Sequence, residues 1–232
     1  MAGGTSLAPV LVARSMHPGF LSNAWAVASE QGGAAVFVDS GADLGPLVAA
    51  VEKWGATPVA LLRTHSHPDH VEHEAELAGR FGIPVLAEPG EWDWDGLHVR
   101  GLATPGHSDD GLSFLFGEDA VATGDTLFRD SVGGGDVEAV RRSVMEVLLA
   151  LPATLQVLPG HADETTIGRE REANPFVLFW NGEAVGTERV RVAGRNATLA
   201  VWSPDYDGKG KALVRFDDGA EAIVGGSRVE RG

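Results

Sequence analysis

Apolar positions along the chain fall into short runs separated by turn-forming residues, and the runs predict alternating strands and helices. Runs at 9–13, 24–29, 34–38 and 58–63 have the length and content of buried strands. Between the last two, Leu44, Leu47, Val48 and Val51 recur at helical spacing, which predicts a helix over 43–54. The next helix is predicted over 71–81, stopped by Gly82 and Pro84. A short strand at 85–87, a hairpin-like stretch around 91–96 and a strand at 97–103 follow. The segments 112–116 and 120–123 read as a strand pair about the Gly117-Glu118-Asp119 turn. The clearest helix is 136–151, where Val140, Val144, Val147, Leu148 and Leu151 line one face before Pro152. A last short strand, 155–158, leads into Pro159-Gly160-His161.

The pattern changes after Asn174-Pro175. Only short strand candidates remain, at 176–180, 187–192, 197–202, 211–216 and 220–224, with turns such as Asn181-Gly182, Asp207-Gly208 and Asp218-Gly219 between them. This spacing predicts a small all-β module, an SH3-like barrel over 176–232, with a boundary near Pro175 and a larger domain over 1–175.

Composition narrows the function classes. The chain has 232 residues, 33 acidic against 18 basic, for a formal net charge of −15. So acidic a surface repels phosphate backbones and anionic membranes, so the expected partner is a small-molecule substrate and neither nucleic acid nor membrane; a homo-oligomer stays open. No apolar run approaches the roughly 20 residues of a membrane span. Residues 1–14 lack a basic region followed by a long apolar core, which makes a poor signal peptide and points to the cytoplasm. With no cysteine in the chain, disulfides, thiolate ligands and cysteine nucleophiles are excluded.

The chemistry concentrates in Thr64-His65-Ser66-His67-Pro68-Asp69-His70. Three imidazoles and a carboxylate crowd one turn, although the whole chain has 8 histidines. Crowding such groups is costly to desolvate unless a divalent metal takes their lone pairs. Other polar residues also follow strands: Asp39 after 34–38, His107 after 97–103, Asp125 after 120–123, and His161 after 155–158. Strand ends and their loops are where α/β folds gather ligands. Glycines beside His107, Asp125 and His161 permit sharp turns.

These residues resemble the metallo-β-lactamase-fold superfamily of metallohydrolases. His65-x-His67-x-Asp69-His70, Gly106-His107, Gly124-Asp125 and Gly160-His161 match its ligand motifs in order, over roughly 9–175. Thr104-Pro105-Gly106-His107 and Gly124-Asp125-Thr126-Leu127-Phe128-Arg129 look most like the glyoxalase II (hydroxyacylglutathione hydrolase) branch. The resemblance implies an α/β (α+β) fold, a four-layer αββα sandwich. It implies two divalent metal ions, zinc first, with iron or manganese as alternatives. His65, His67 and His107 would hold one metal; Asp69, His70 and His161 the other; Asp125 would bridge them. Asp69 and Asp125 are the candidate catalytic carboxylates. Two cations about 3.5–4 Å apart can share a hydroxide that attacks an ester, thioester or amide carbonyl.

Several residues carry two readings. Asp39 either caps a turn or orients the ligand loop. Asn23 is read as loop packing, and His17, His73 and His98 as solvated or packing residues, although the loop of His17 could reach the site mouth. Arg129 is a surface arginine or an anion contact, Trp92 and Trp94 pack a hairpin, and Gly133-Gly134-Gly135 is a mobile loop bordering the site. The lactonase branch uses a site tyrosine, and Tyr206 lies in the tail module, which counts against that branch. The glyoxalase II branch binds glutathione through a helical C-terminal domain, and this tail is β-like. Rival activities are a persulfide dioxygenase with a single iron on His65, His107 and Asp125, a lactonase or β-lactamase-like hydrolase, and a non-enzymatic metal-binding scaffold. Deleting a separate module over 176–232 is expected to change substrate range or oligomeric state more than metal binding.

Overall fold

The computed structural model describes residues 9–183 and 186–231, so the segment 1–8, on which part of the leader reading rests, lies outside the described residues. The first sheet runs in chain order: β1 (Leu11–Met16), β2 (Asn23–Ala28), β3 (Ala34–Val38), β4 (Thr57–Leu62) and β5 (Val85–Leu86). β1, β2 and β3 pair antiparallel, whereas β3–β4 and β4–β5 are parallel. Helix α1 (Leu44–Trp54) crosses between β3 and β4. The Asp43 side chain accepts from Gly45 N at its start, and Gly55 closes it in the left-handed region at φ 63°.

Period two in the strands sorts side chains between two cores. In β3, Ala35 and Phe37 face α1 with Leu47, Val48 and Val51, while Val36 and Val38 face the second sheet. The second sheet has the order β13-β12-β9-β8-β7-β6. Its members are β6 (Gly90–Trp94), β7 (Leu97–Ala103), β8 (Leu112–Phe116), β9 (Ala120–Gly124), β12 (Gln156–Pro159) and β13 (Thr165–Thr166). A separate small hairpin, β10 (Leu127–Phe128) with β11 (Ser131–Val132), branches off after β9. Asp95 and Gly96 turn β6 into β7 with φ of 39° and 81°, both positive as tight hairpin turns demand. Trp25, Val27, Val36 and Leu62 from one sheet meet Val99, Phe114, Phe116 and Leu158 from the other. The outer face of the second sheet, with Val121 and Val157, is covered by helices, giving the αββα order of layers.

The helices depart from the sequence reading in three places. The single helix expected over 71–81 is two: α2 (Pro68–Val71) and α3 (Glu74–Phe81). The break arises where the backbone docks on the loop after β3, with Ser40 N donating to His70 O (2.8 Å) and His73 N to Ser40 O (3.1 Å). The helix expected over 136–151 begins as α4 (Val137–Arg142) and widens into a π-helical stretch, Ser143–Leu148, with Leu149 N donating to Val144 O. The strand expected over 176–180 is helix α6 (Pro175–Trp180), which follows α5 (Ile167–Ala173). Phe176-Val177-Leu178-Phe179-Trp180 favours strand by composition, but Asn174 accepts from Phe176 N (3.0 Å) and Pro175 opens the first turn.

The tail forms one antiparallel sheet, order β17-β16-β15-β14-β18, curled into a half-barrel. Its strands are β14 (Glu188–Val192), β15 (Arg195–Ser203), β16 (Lys211–Phe216), β17 (Glu221–Gly225) and β18 (Val229–Arg231). One side has its own small core of Val190, Val192, Leu199 and Val214. The other side does not end at position 175. Ala200, Val201, Leu213 and Ile223 share a core with Phe176, Val177, Val140, Val144 and Val157.

Candidate metal centre

β3 and β4 run the same way, and β7, β9 and β12 do so in the second sheet, so their C-terminal ends meet at one edge of the sandwich. Asp39 follows β3, His65 follows β4, His107 follows β7, Asp125 follows β9 and His161 follows β12. Two glycines show how tightly these turns are built. Gly106, before His107, sits at φ 135°, and an added Cβ there would strike the backbone of Ala139 and Val140. A Cβ on Gly160 would strike the Asp125 carboxylate.

All seven sequence-predicted ligands converge. His65, His67 and His107 form one group; Asp69, His70 and His161 form another; Asp125 stands with His65 and His70 between them. Within each group the ligand atoms lie within 4.8 Å of one another. Asp125 reaches His70 Nε2 at 3.3 Å, and His107 Nε2 and His161 Nε2 at 3.4 Å each. Asp69 lies 3.4 Å from His161 Nε2 and 3.6 Å from His70 Nε2.

Hydrogen bonds behind the rings decide which nitrogen faces inward. His107 Nδ1 donates to Gly134 O (2.9 Å), His161 Nδ1 to Leu21 O (3.0 Å) and His70 Nδ1 to the Asp39 carboxylate (2.8 Å). His65 Nδ1 donates to the Thr64 hydroxyl (3.0 Å), which in turn donates to Asp39 (2.8 Å). Each ring therefore turns Nε2 inward, the nitrogen that offers its lone pair when the ring is neutral. His67 instead presents Nδ1, 3.0 Å from both His65 Nε2 and His107 Nε2. Three imidazole nitrogens meeting at such distances with their protons directed elsewhere want a cation between them. His70 Nε2 and Asp125 Oδ1 are buried with no hydrogen-bond partner among the described residues, which a metal would supply. The donor sets fit divalent metal binding.

Without a cation, protons balance the charge. Burial opposes charge on His70, but Asp125 and Asp39 outweigh it and hold its pKa well above the usual imidazole value. His161 is likewise buried, yet Asp125 and Asp69 raise it to about 9. Asp125 is pushed well below the carboxylate range because His70 and His161 outweigh its burial. His65 goes the other way: burial, then repulsion from His70, lowers it to about 4. At neutral pH a metal at Asp69, His70 and His161 must displace protons, and acid strengthens that competition; His65 is already a free base and competes only near pH 4. Dialysis from about pH 8 to about pH 6 should remove metal held at Asp69, His70 and His161 before any held at His65, His67 and His107, as elemental analysis would read; loss in the opposite order would contradict the assignment.

Asp39 holds the ligand loop and caps no helix. Its two oxygens accept from Thr64 N and the Thr64 hydroxyl (2.8 Å each) as well as from His70, from a backbone at φ 56°. Asp39→Ala should weaken metal affinity roughly 10–100-fold in chelator competition, with the seven ligands intact. Asn23 does more than pack a loop: its Nδ2 donates to Pro159 O and Ala162 O (2.9 Å each), clamping the turn that carries His161.

The Gly133-Gly134-Gly135 segment is not a loose border. Gly134 O anchors His107, and a Cβ on Gly133 or Gly135 would strike Asp125 O or Gly106 O. Small residues are needed there by close packing. His17, His73 and His98 stay outside the cluster, beside Glu72, Glu76 and Asp93. Met16 and Leu21, neighbours of His17, nevertheless border a cleft on the outer side of His161. Trp92 and Trp94 stack on each other with ring centroids 6.3 Å apart and pack against the inter-sheet core. Tyr206 overturns its sequence placement: the ring stacks on His161 with centroids 4.0 Å apart and planes 13° apart. Its place in the tail is therefore no argument against a tyrosine at the site. Sequence reasoning missed it because nothing local to Tyr206 marks the approach.

No family model matches the chain. It is similar to a hydroxyacylglutathione hydrolase of Acidiphilium cryptum, 35% identical over 192 residues, covering 74% of this chain and 77% of that one. Among solved structures, it resembles the BLEG-1 B3 metallo-β-lactamase (TM-score 0.66, 25% identity, 72% of this chain and 99% of that one). It also resembles a di-iron-bound form of TTHA1623 (TM-score 0.58, 32% identity, 70% of this chain and 98% of that one). With two three-ligand groups at the shared edge of an αββα sandwich and relatives of this kind, the chain belongs to the metallo-β-lactamase-fold superfamily of metallohydrolases.

Proposed function

We propose that the chain is a dinuclear metal-dependent hydrolase with glyoxalase II-like activity on thioesters. The observation that carries this is the position of Asp125, with oxygens directed at both His70 and His107 between two three-ligand groups. When bound, two divalent ions supply a hydroxide at neutral pH and a Lewis acid for a carbonyl. The chain's own contribution is orientation. Thr64, Asp39, Gly134 and Leu21 fix the rings, and Asp125 and Asp69 supply negative charge that offsets the cations. Similarity to the Acidiphilium hydroxyacylglutathione hydrolase supports a thioester substrate, and an all-nitrogen-and-oxygen ligand set suits zinc, with iron as the alternative.

The test is elemental analysis of protein purified without added metal, followed by assay on S-acylglutathione, lactone, β-lactam and persulfide substrates. Two metals per chain and preferred thioester cleavage are expected. One iron per chain with oxygen uptake on glutathione persulfide would replace this reading with the dioxygenase. No turnover of any substrate after metal loading would leave a scaffold.

A further inference from the structure

We infer that Tyr206, supplied by the C-terminal half-barrel, is a positioning residue for His161 and thereby sets metal affinity at the Asp69–His70–His161 group. The inference rests on the two-metal reading of the centre and not on the substrate. Among the described residues, His161 is the one candidate ligand whose ring carries another aromatic ring lying flat on it, with centroids 4.0 Å apart and planes 13° apart. The rings of His65, His67 and His107 meet only one another and His70, edge-on or tilted. Phe128 stands edge-on to His161 at 5.8 Å and to Tyr206 at 6.0 Å, so three rings lock together on the outer side of the ligand.

Hydrogen bonds alone do not hold the plane of the His161 ring. Leu21 O accepts from Nδ1 (3.0 Å), and Asn23 clamps the backbone of the turn through Pro159 O and Ala162 O. The torsion that swings a histidine ring about its Cβ–Cγ bond is intrinsically broad. A single carbonyl at the rim leaves the ring free to tilt about the N–H···O line. A second ring at stacking distance removes that freedom, because tilting would drive the imidazole edge into it. A ligand lone pair has to be aimed within about 10–20° of the productive direction, so the group that holds the plane also holds the affinity.

Tyr206 can do this because its own segment is fixed. Asp205 pairs with Lys211 (3.1 Å), both largely shielded from solvent, and Lys211 Nζ lies 5.8 Å from the ring centres of Tyr206 and Phe128. The Ser203 hydroxyl donates to Asp130 O, tying the end of β15 to the turn between β10 and β11. The shared core beneath holds the half-barrel against the rest of the fold. His65, His70 and His107 are oriented by Thr64, Asp39 and Gly134 of the sandwich itself. The tail therefore acts on one metal group and leaves the other to the sandwich.

The experiment is chelator-competition titration of the metal-free full chain with zinc and with cobalt(II), whose absorption bands report ligand geometry. His67→Ala isolates the Asp69–His70–His161 group, and Asp69→Ala isolates the His65–His67–His107 group. Added to the first background, Tyr206→Ala should weaken affinity about tenfold and change the cobalt spectrum. Added to the second, it should leave affinity and spectrum as they were. Tyr206→Phe, which keeps the ring and loses only the hydroxyl, should restore both readouts at the first. Tyr206→Leu keeps bulk for the fold without a flat face, and should lose affinity as Tyr206→Ala does; circular dichroism checks that each variant is folded. Unchanged affinity in the folded alanine or leucine variant, equal loss at both groups, or no restoration by phenylalanine would overturn the inference. Absence of metal from the His67→Ala chain would overturn it together with the two-metal reading. The expected losses without turnover of any thioester by the wild-type chain would sink the hydrolase reading and leave this one standing.

Discussion

Asp125→Ala is expected to lower turnover at least about a hundredfold and to leave a folded protein. Loss of a residue that merely orients a ligand costs roughly 10–100-fold, and Asp125 faces both ligand groups itself, so its loss cannot cost less. His70 and His161 would lose the carboxylate that does most to keep them charged in the absence of metal. The fold should survive because Asp125 Oδ1 forms no hydrogen bond among the described residues, so no structural bond at that atom is broken. Steady-state rates, circular dichroism and metal content measured together provide the check. Near-wild-type turnover with metal bound would remove Asp125 from the centre. His67→Ala should behave alike, since its Nδ1 is the point where His65 and His107 meet.

Truncation after position 175 is expected to unfold the protein. The sequence suggested a detachable module whose loss would alter substrate range or oligomeric state. The common core reverses that order of effects. Phe176 is 0% exposed and packs with Val140, Val144 and Val157, and Ala200, Val201, Leu213 and Ile223 join the same cluster. Emptying one buried phenylalanine site costs about 3–5 kcal/mol, and whole domains are stable by only about 5–15 kcal/mol. Removing these five buried side chains at once leaves no margin. A soluble, cooperatively melting 1–175 fragment that binds both metals would contradict this. The single change Phe176→Ala, expected to cost about 3–5 kcal/mol in denaturant melts, tests the same contact without deleting the tail.

The cluster of seven candidate ligands was legible because its members sit in the loops that follow buried strands, where chemistry-bearing residues stand out from the local pattern. The layers were legible for a related reason: the unbroken apolar run at 34–38 marks a strand buried on both faces, and helical spacing in 43–54 states which helix face is buried. Residues acting across the sequence were harder to read. Tyr206 reaches His161 only because the half-barrel folds back on the second sheet, and no period in the sequence encodes that return. The glycines at 133–135 carry no side chain to advertise a packing role, so they read as slack when they are a tight joint. At 175–180, aromatic and branched residues outvoted the Asn174-Pro175 helix start, although that start was visible. Asp39 stood between two readings because its partners, Thr64 and His70, are remote in sequence.

The clamp that Asn23 places on the His161 turn also sets an order of assembly. The contacts that gather His65, His67 and His107 span at most 40 residues of chain, whereas those that hold His161 span 136 to 140. Closing a longer loop costs more chain entropy, by about 3/2 RT for each unit of ln n. The first half of the centre can therefore gather while the second still waits for the two ends of the fold to meet, so a chain emerging from synthesis offers a three-histidine site before it offers a pair.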